Sequence, residues 1–281
     1  MTAKSLDIYL VAIGGTGMAP LACLLKDLGH RVRGVDGPLY PPMSDVLLEA
    51  GIGPLVGYDA AHLEAEPRPD LVVIGNAVPR TNPEAMAAER LGLECLSMPQ
   101  TLGRFLLEGR RPLVAAGTHG KTTTTSMAAW VLDACGRDPG FLIGGVSRDL
   151  GASFRVGSGE RFVVEGDEYN AAYFDRGPKF LHYRPETLIL TSVEHDHADL
   201  YPTHEDLLGA FRELVRLLPE SGLLAAYGDS ADVRRVAEVA ASRVLFYGFD
   251  AGNDVRAVRP SDAGPRNVVD VHESIHGEPR V

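Results

Sequence analysis

The sequence predicts a doubly wound α/β fold, on three observations. Nearly continuous apolar runs of strand length recur, as at 6–13 (LDIYLVAI), 70–75 (DLVVIG) and 187–192 (TLILTS). Segments with apolar residues at helical spacing lie between such runs. Two strand-to-helix corners are glycine-rich, Gly14-Gly15-Thr16-Gly17 and Gly117-Thr118-His119-Gly120. Uninterrupted apolar strands suit a parallel sheet covered on both faces, and β-α-β alternation builds such sheets.

The elements follow in order. After the strand at 6–13, Met18, Leu21, Ala22, Leu24, Leu25 and Leu28 repeat with helical period, and Gly29 ends that helix. Residues 31–35 (RVRGV) form a second strand closed by Asp36, and 70–75 a third. At 108–111 the stretch EGRR breaks the apolar pattern, and a boundary is expected there between a first domain (1–108) and a second (109–281). The second opens with a strand from Pro112 (PLVAAG) and a helix over Thr122–Ala134, with Met127 and Trp130 expected in the core. Strands at 161–165, 187–192, 223–227 and 243–247 and helices at 204–218 and 230–241 continue the α/β pattern. Past residue 250 the chain turns polar, with short strands at 255–258 and 267–271.

A chain of 281 residues matches two domains of the usual ~100–200 residues each. Lys and Arg total 27 against 38 Asp and Glu, a net charge of −11. A broad acidic surface argues against nucleic acid or an acidic membrane as partner, because both attract a positive field. Local backbone amides and single lysines can still bind phosphate. No apolar run approaches the ~20 residues of a membrane span. The opening MTAKSLDIYLVAIGG reads as a first strand and not as a signal peptide. Cys23, Cys95 and Cys135 are too far apart for a zinc knuckle or a disulfide framework, so a reducing cytoplasm is expected. Nothing in the sequence sets an oligomeric state.

Gly117-Thr118-His119-Gly120-Lys121-Thr122 is the strongest local signal. Its glycines let backbone amides turn toward phosphate oxygens, and the following helix N-terminus adds partial positive charge. Lys121 can reach the β and γ phosphates, and the Thr122 hydroxyl can ligate Mg²⁺. Ala115 stands where the longer G-x-x-x-x-G-K-[ST] pattern has glycine, so the match is to a shorter G-x-x-G-K-T form.

The first glycine loop, Ala12 to Gly17, is a G-x-G-x-x-G pattern with alanine in its first position, and Asp36 closes the next strand. Both a dinucleotide oxidoreductase and a UDP-sugar site would use these residues. Two acidic clusters, Glu165-Gly166-Asp167-Glu168 and Glu194-His195-Asp196-His197, each follow a strand. Residues just past the carboxyl ends of parallel strands line the ligand crevice. Glu165, His197 and Thr122 are therefore the candidate ligands of a hard cation. His119 can contact substrate or cap the loop, His182 reads as structural, and Lys179 and Arg184 are candidate partners of an anionic substrate.

Taken together, GTHGKTTTT at 117–125, EGDEYN at 165–170 and EHDHAD at 194–199 resemble the Mur ligases of bacterial cell-wall synthesis, which use ATP to join an amino acid or peptide to a UDP-muramyl precursor. IGGTGM at 13–18 resembles the UDP-binding loop of the branch acting on UDP-N-acetylmuramate. YPPMSDVLLEAGI at 40–52, IGNAVPRTNP at 74–83, PGFLIGGV at 139–146 and KFLHYRP at 179–185 resemble the members that recycle murein peptides. Gly166, Asn170 and His195 depart from the family's motifs at positions that are not proposed metal ligands.

The resemblance implies a Rossmann-like UDP-binding domain followed by a P-loop ATPase-type central domain. It implies UDP-sugar contacts at Gly14, Gly15, Thr16, Gly17 and Met18, with Asp36 and Asn76 close by. ATP would bind at Gly117, Thr118, His119, Gly120, Lys121, Thr122 and Thr123. Mg²⁺ would lie on Thr122, Glu165 and His197, and Lys121, Glu165 and His197 would carry catalysis. The implied substrates are UDP-N-acetylmuramate and the murein peptide L-Ala-γ-D-Glu-meso-diaminopimelate, joined through an acyl phosphate. The family carries a third domain that binds the acceptor, and this chain is expected to be a truncated form without it. An L-alanine-adding ligase of the same family and a non-catalytic UDP-sugar or nucleotide-binding module are the alternatives.

Overall fold

The computed structural model describes residues 4–194, 200–258, 270–275 and 278–280. The first half contains β1 (Asp7–Val11), α1 (Met18–Asp27), β2 (Arg31–Asp36), α2 (Met43–Glu49), β3 (Leu55–Val56), α3 (Ala61–Glu64), β4 (Leu71–Ile74), α4 (Pro83–Leu91), β5 (Cys95–Ser97) and α5 (Met98–Leu102). The strands form a parallel sheet in the order β3-β2-β1-β4-β5. Central β1 and β4 are the apolar runs expected from sequence: Ile8, Leu10 and Val73 face one layer of core, Tyr9, Val72 and Ile74 the other. Short β3 and β5, and helices α2 to α5, carry too little apolar periodicity to be assigned from sequence. Their ends are nevertheless locally encoded. Asn82 accepts from the amides of Glu84 and Ala85, Pro83 opens α4, and Gly92 closes it at φ 65°.

A π-helical turn (Gly103–Leu107) leads through the EGRR stretch to the second sheet. There follow β6 (Arg111–Ala116), α6 (Lys121–Ala134), β7 (Gly140–Leu142), β8 (Phe154–Arg155), β9 (Arg161–Gly166), β10 (Asn170–Ala172) and β11 (Asp175–Pro178). After a 3-10 turn (Lys179–His182) come β12 (Thr187–Leu190), α7 (His204–Arg216), β13 (Leu223–Tyr227), α8 (Ala231–Ala237), β14 (Arg243–Gly248), β15 (Val255–Val258), β16 (Asp270–Ile275) and β17 (Glu278–Arg280). The order is β17-β16-β15-β14-β13-β12-β6-β9-β7-β8, parallel from β15 through β7 and antiparallel at both edges. The expected strand at 267–271 is met at its end by β16, and 267–269 lie outside the described residues. Helix α7 has a capping box between Thr203 and Asp206 and buries Leu207, Leu208, Phe211, Leu214 and Val215.

One expectation fails on α6. Met127 is 63% and Trp130 47% exposed, so neither is core. The helix lies on the sheet through the small positions Thr125 and Ala129. At 100° per residue, Met127 and Trp130 point away from that stripe.

The hairpin β10–β11 ties the halves together. Ser97 donates to Asp175 at 3.0 Å, His182 pairs with the same carboxylate at 2.8 Å, and Tyr173 donates to Glu89 at 2.9 Å. His182 thus stands in a structural contact.

In the first half Glu84 is fully buried against His62 (2.7 Å) and the Tyr9 hydroxyl (3.3 Å), and its Oε2 has no hydrogen-bond partner among the described residues. Burial pushes its carboxyl above the ordinary value, against the pull of His62 and the Asp59 amide. The charged form is therefore disfavoured in the fold. That cost is absent below the ordinary carboxylate range and grows as pH rises through the raised value. Glu84→Gln removes the dependence. Its melting temperature relative to wild type should shift in the variant's favour between about pH 4 and about pH 7. A difference independent of pH would contradict a buried charge here.

Candidate functional site

The corner after β6 is built around two glycines at positive φ, Gly117 (134°) and Gly120 (82°). A Cβ on Gly117 would lie 2.2 Å from Thr191 Oγ1 and 2.7 Å from the Ser192 carbonyl oxygen, so the loop after β12 leaves room only for glycine. The loop is fastened to that neighbour. The Thr118 amide donates to Ser192 O at 2.9 Å, the His119 amide to Ser192 Oγ at 3.0 Å, and the Thr191 hydroxyl to His119 O at 2.6 Å. The Glu194 amide donates to Thr118 Oγ1 at 2.9 Å, which brings the start of the second acidic cluster to the loop.

Lys121 opens α6 with its side chain turned back over the loop. Its ammonium donates to the Gly117 and Thr118 carbonyls at 2.8 and 3.3 Å and to both carboxylate oxygens of Glu168 at 3.0 and 3.2 Å. Glu168 is buried. The Thr122 hydroxyl donates to Glu165 Oε2 at 3.1 Å, and the Gly144 amide donates to Glu165 Oε1. Burial pushes the Glu165 carboxyl up, opposed by those two donors and by Lys121. No ion pair reaches Glu165 among the described residues. A carboxylate oxygen beside a threonine hydroxyl, with no cation of its own, fits a hard divalent ion. Among the described residues no group of three His, Cys, Asp or Glu gathers into a metal cage. His197, the third expected ligand, lies outside the described residues. Thr123 is exposed in the first turn of α6, and His119 is exposed in the loop.

Gly166 has a steric cause. A Cβ there would come within 2.8 Å of Ala116 and Val114 on the neighbouring strand β6.

A cavity of about 260 Å³ extends from this cluster to the other half of the protein. Lys121, Glu165, Glu168 and Lys179 line one wall, and Thr16 and Gly17 of the first glycine loop line the other. On its far side that loop borders a second, open cavity of about 600 Å³, reached by Gly14, Gly15, Thr16, Asp36 and Tyr58. Asp36 there accepts from the Gly14 and Gly37 amides at 2.7 Å each and from the Tyr58 hydroxyl at 3.0 Å, so it shapes the loop's mouth. Met18 packs into the core at the start of α1, and Asn76 is exposed after β4; neither lines a described cavity.

Sequence reasoning passed over Glu168, Gly144 and Tyr58. Glu168 stands inside a cluster in which any acid could have faced the loop. Gly144-Gly145 directly follows the apolar segment ending at Ile143, and such a pair is the one local signal of close backbone approach.

Two glycine corners, each after a parallel strand, face one crevice from separate sheets, an arrangement shared by proteins that bring two ligands together. The family profile for the "Mur ligase family, catalytic domain" matches residues 7–110, and that for the "Mur ligase middle domain" matches residues 115–276. The chain belongs to the Mur ligase family.

UDP-N-acetylmuramate–L-alanyl-γ-D-glutamyl-meso-2,6-diaminoheptandioate ligase of Escherichia coli K12 is 47% identical over 215 residues, which are 76% of this chain and 47% of the relative. UDP-N-acetylmuramate–L-alanine ligase of Paenarthrobacter aurescens is 39% identical over 93% of this chain and 55% of its own length. The chain spans about half the length of the curated relatives it matches. The crystal structure of UDP-N-acetylmuramate:L-alanyl-γ-D-glutamyl-meso-diaminopimelate ligase from Neisseria meningitides superposes with a TM-score of 0.90 at 37% identity, covering 98% of this chain and 86% of the other.

Gly117→Ala should distort the loop and abolish calorimetric binding of ATP while the chain remains folded by circular dichroism. ATP affinity within about twofold of wild type would show that the loop tolerates a Cβ and is not the phosphate cradle.

Proposed function

We propose that this chain forms the UDP-sugar-binding and ATP-binding parts of an ATP-dependent ligase that joins UDP-N-acetylmuramate to the peptide L-Ala-γ-D-Glu-meso-diaminopimelate, in cell-wall peptide recycling. The observation that carries the reading is the shared crevice, with Thr16 and Gly17 of the first glycine loop on one wall and Lys121 and Glu165, which accepts from Thr122, on the other. The identity to ligases named for that tripeptide supports the acceptor. We assign residues 1–108 to the sugar nucleotide and 109–281 to ATP.

In this reading the muramyl carboxylate attacks the γ-phosphorus of ATP, ADP leaves, and an acyl phosphate forms. The peptide amine then attacks the acyl carbon, phosphate leaves with the former carboxylate oxygen, and the amine nitrogen releases a proton to solvent. The protein's part is positioning and charge neutralisation. The glycine corner and the N-terminus of α6 hold the phosphates, and Lys121 exchanges Glu168 for the γ-phosphoryl oxygens. Thr122 and Glu165, with His197, would hold Mg²⁺, which supplies neutralisation of phosphate charge when bound. Gly14, Gly15, Thr16 and Gly17 hold the UDP diphosphate, and Asp36 keeps their loop open.

Titration of this chain with UDP-N-acetylmuramate in the presence of Mg²⁺ should show saturable binding at about one site per chain, and no heat from folded protein would overturn the reading. Lys121→Ala should weaken ATP by roughly ten- to a hundredfold, the scale of a lost charged hydrogen bond, and leave UDP-sugar affinity intact. Equal loss of both ligands would refute the division of labour between the two sheets.

A further inference from the structure

The crevice holds a second cation that the phosphate chemistry does not use. Lys121 and Lys179 are the two cationic side chains among the described residues lining it. Lys179 is fixed at its root from both sides. Its amide donates to Tyr169 O at 3.0 Å, and the next residue, Phe180, donates its amide to Asp167 O at 3.2 Å and is fully buried. The Phe180 ring packs on Phe211 of α7 with centroids 5.5 Å apart. The side chain that rises from this anchor is 17% exposed, and its ammonium sits 2.7 Å from Asp167 Oδ2. The other oxygen of Asp167 accepts from the Tyr169 amide at 3.3 Å.

Lys121 is held by the buried Glu168 and two loop carbonyls, and Lys179 by Asp167, whose side chain is 30% exposed and so open to exchange for an incoming anion. Lys121 belongs to the phosphate loop. Lys179 lines the same cavity from the turn after the hairpin, and Thr16 and Gly17 form the cavity's other wall. A ligand whose diphosphate rests on the glycine loop and whose far end enters this cavity meets Lys179 there. Attack of a carboxylate on a phosphoryl group brings two anions together in a partly desolvated space, where their repulsion is strong. Lys121 and the proposed Mg²⁺ ligands serve the phosphoryl group, and Lys179 is the cationic side chain on the cavity wall that is left for the carboxylate.

We propose that Lys179 is the binding group for the carboxylate of the sugar nucleotide, taking it in exchange for Asp167 and presenting it to the phosphoryl group held by Lys121. This rests on the reading of the donor as UDP-N-acetylmuramate. It adds a carboxylate subsite to the crevice and makes Asp167 the group that keeps the subsite closed until the donor arrives.

UDP-N-acetylglucosamine has the same nucleotide and sugar ring as UDP-N-acetylmuramate and lacks its lactyl carboxylate, so the pair isolates the proposed contact. Calorimetry on the 281-residue chain should show wild type preferring the carboxylate-bearing sugar by roughly tenfold, as a charge-assisted hydrogen bond provides. Lys179→Met should lose that preference while its affinity for UDP-N-acetylglucosamine stays at the wild-type value, and Lys179→Arg should restore it. Lys179→Met that keeps the preference, or that weakens both sugars alike, overturns the proposal. Asp167→Asn tests it without touching the lysine: UDP-N-acetylmuramate should tighten and UDP-N-acetylglucosamine should not, and an equal effect on both counts against it. Wild type that binds both sugars equally refutes this subsite alone. Wild type that binds neither refutes the donor assignment as well.

Discussion

The ammonium of Lys121, clasped between the carbonyls of its own loop and the buried carboxylate of Glu168, organises everything around it. A buried acid is stable only when a partner neutralises it, and a lysine turned back over a glycine corner is ordered only when something holds its far end. Each group meets the other's need. The consequence is a loop already fixed in its curl, so a ligand that binds there loses little further conformational entropy. Glu168 is in turn held through its backbone carbonyl by the Tyr201 hydroxyl at 2.6 Å, which ties the clasp to the segment leading into α7.

The parallel framework was legible where its strands are covered on both faces and so consist of uninterrupted apolar residues, as Ile8–Val11 and Leu71–Ile74 are. Edge elements have no such requirement. Leu55–Val56 is exposed, and Asn170–Ala172 pairs with Asp175–Pro178 in a hairpin too short to carry a period. Trp130 and Met127 show the converse error. Apolar residues on a helix are core only when they share a face, and on α6 the small Thr125 and Ala129 take the place against the sheet because the backbone approaches closely there.

At the site, the glycine corner between β6 and α6 could be placed because glycine and lysine stand at fixed spacing between a strand and a helix. Which acid serves which cation could not be. Glu165 turns to Thr122, Glu168 to Lys121 and Asp167 to Lys179, a division set by which residue ends β9 and how the chain bends into β10. Asp36 shows a related limit. Its position at the end of β2 marks a ligand-facing place in the sequence, and in the fold both carboxylate oxygens are taken up by backbone amides of the loops on either side. What the residue does in the fold is fix the shape of those two loops.

The outward face of α6 has an optical consequence. Trp130 is the chain's single tryptophan, half exposed, and it stands on the helix that Lys121 begins. Indole emission from this protein therefore originates at one address, a few turns from the phosphate loop. Any displacement of that helix is written into the colour of one fluorophore, with no other indole to dilute it and no label to attach.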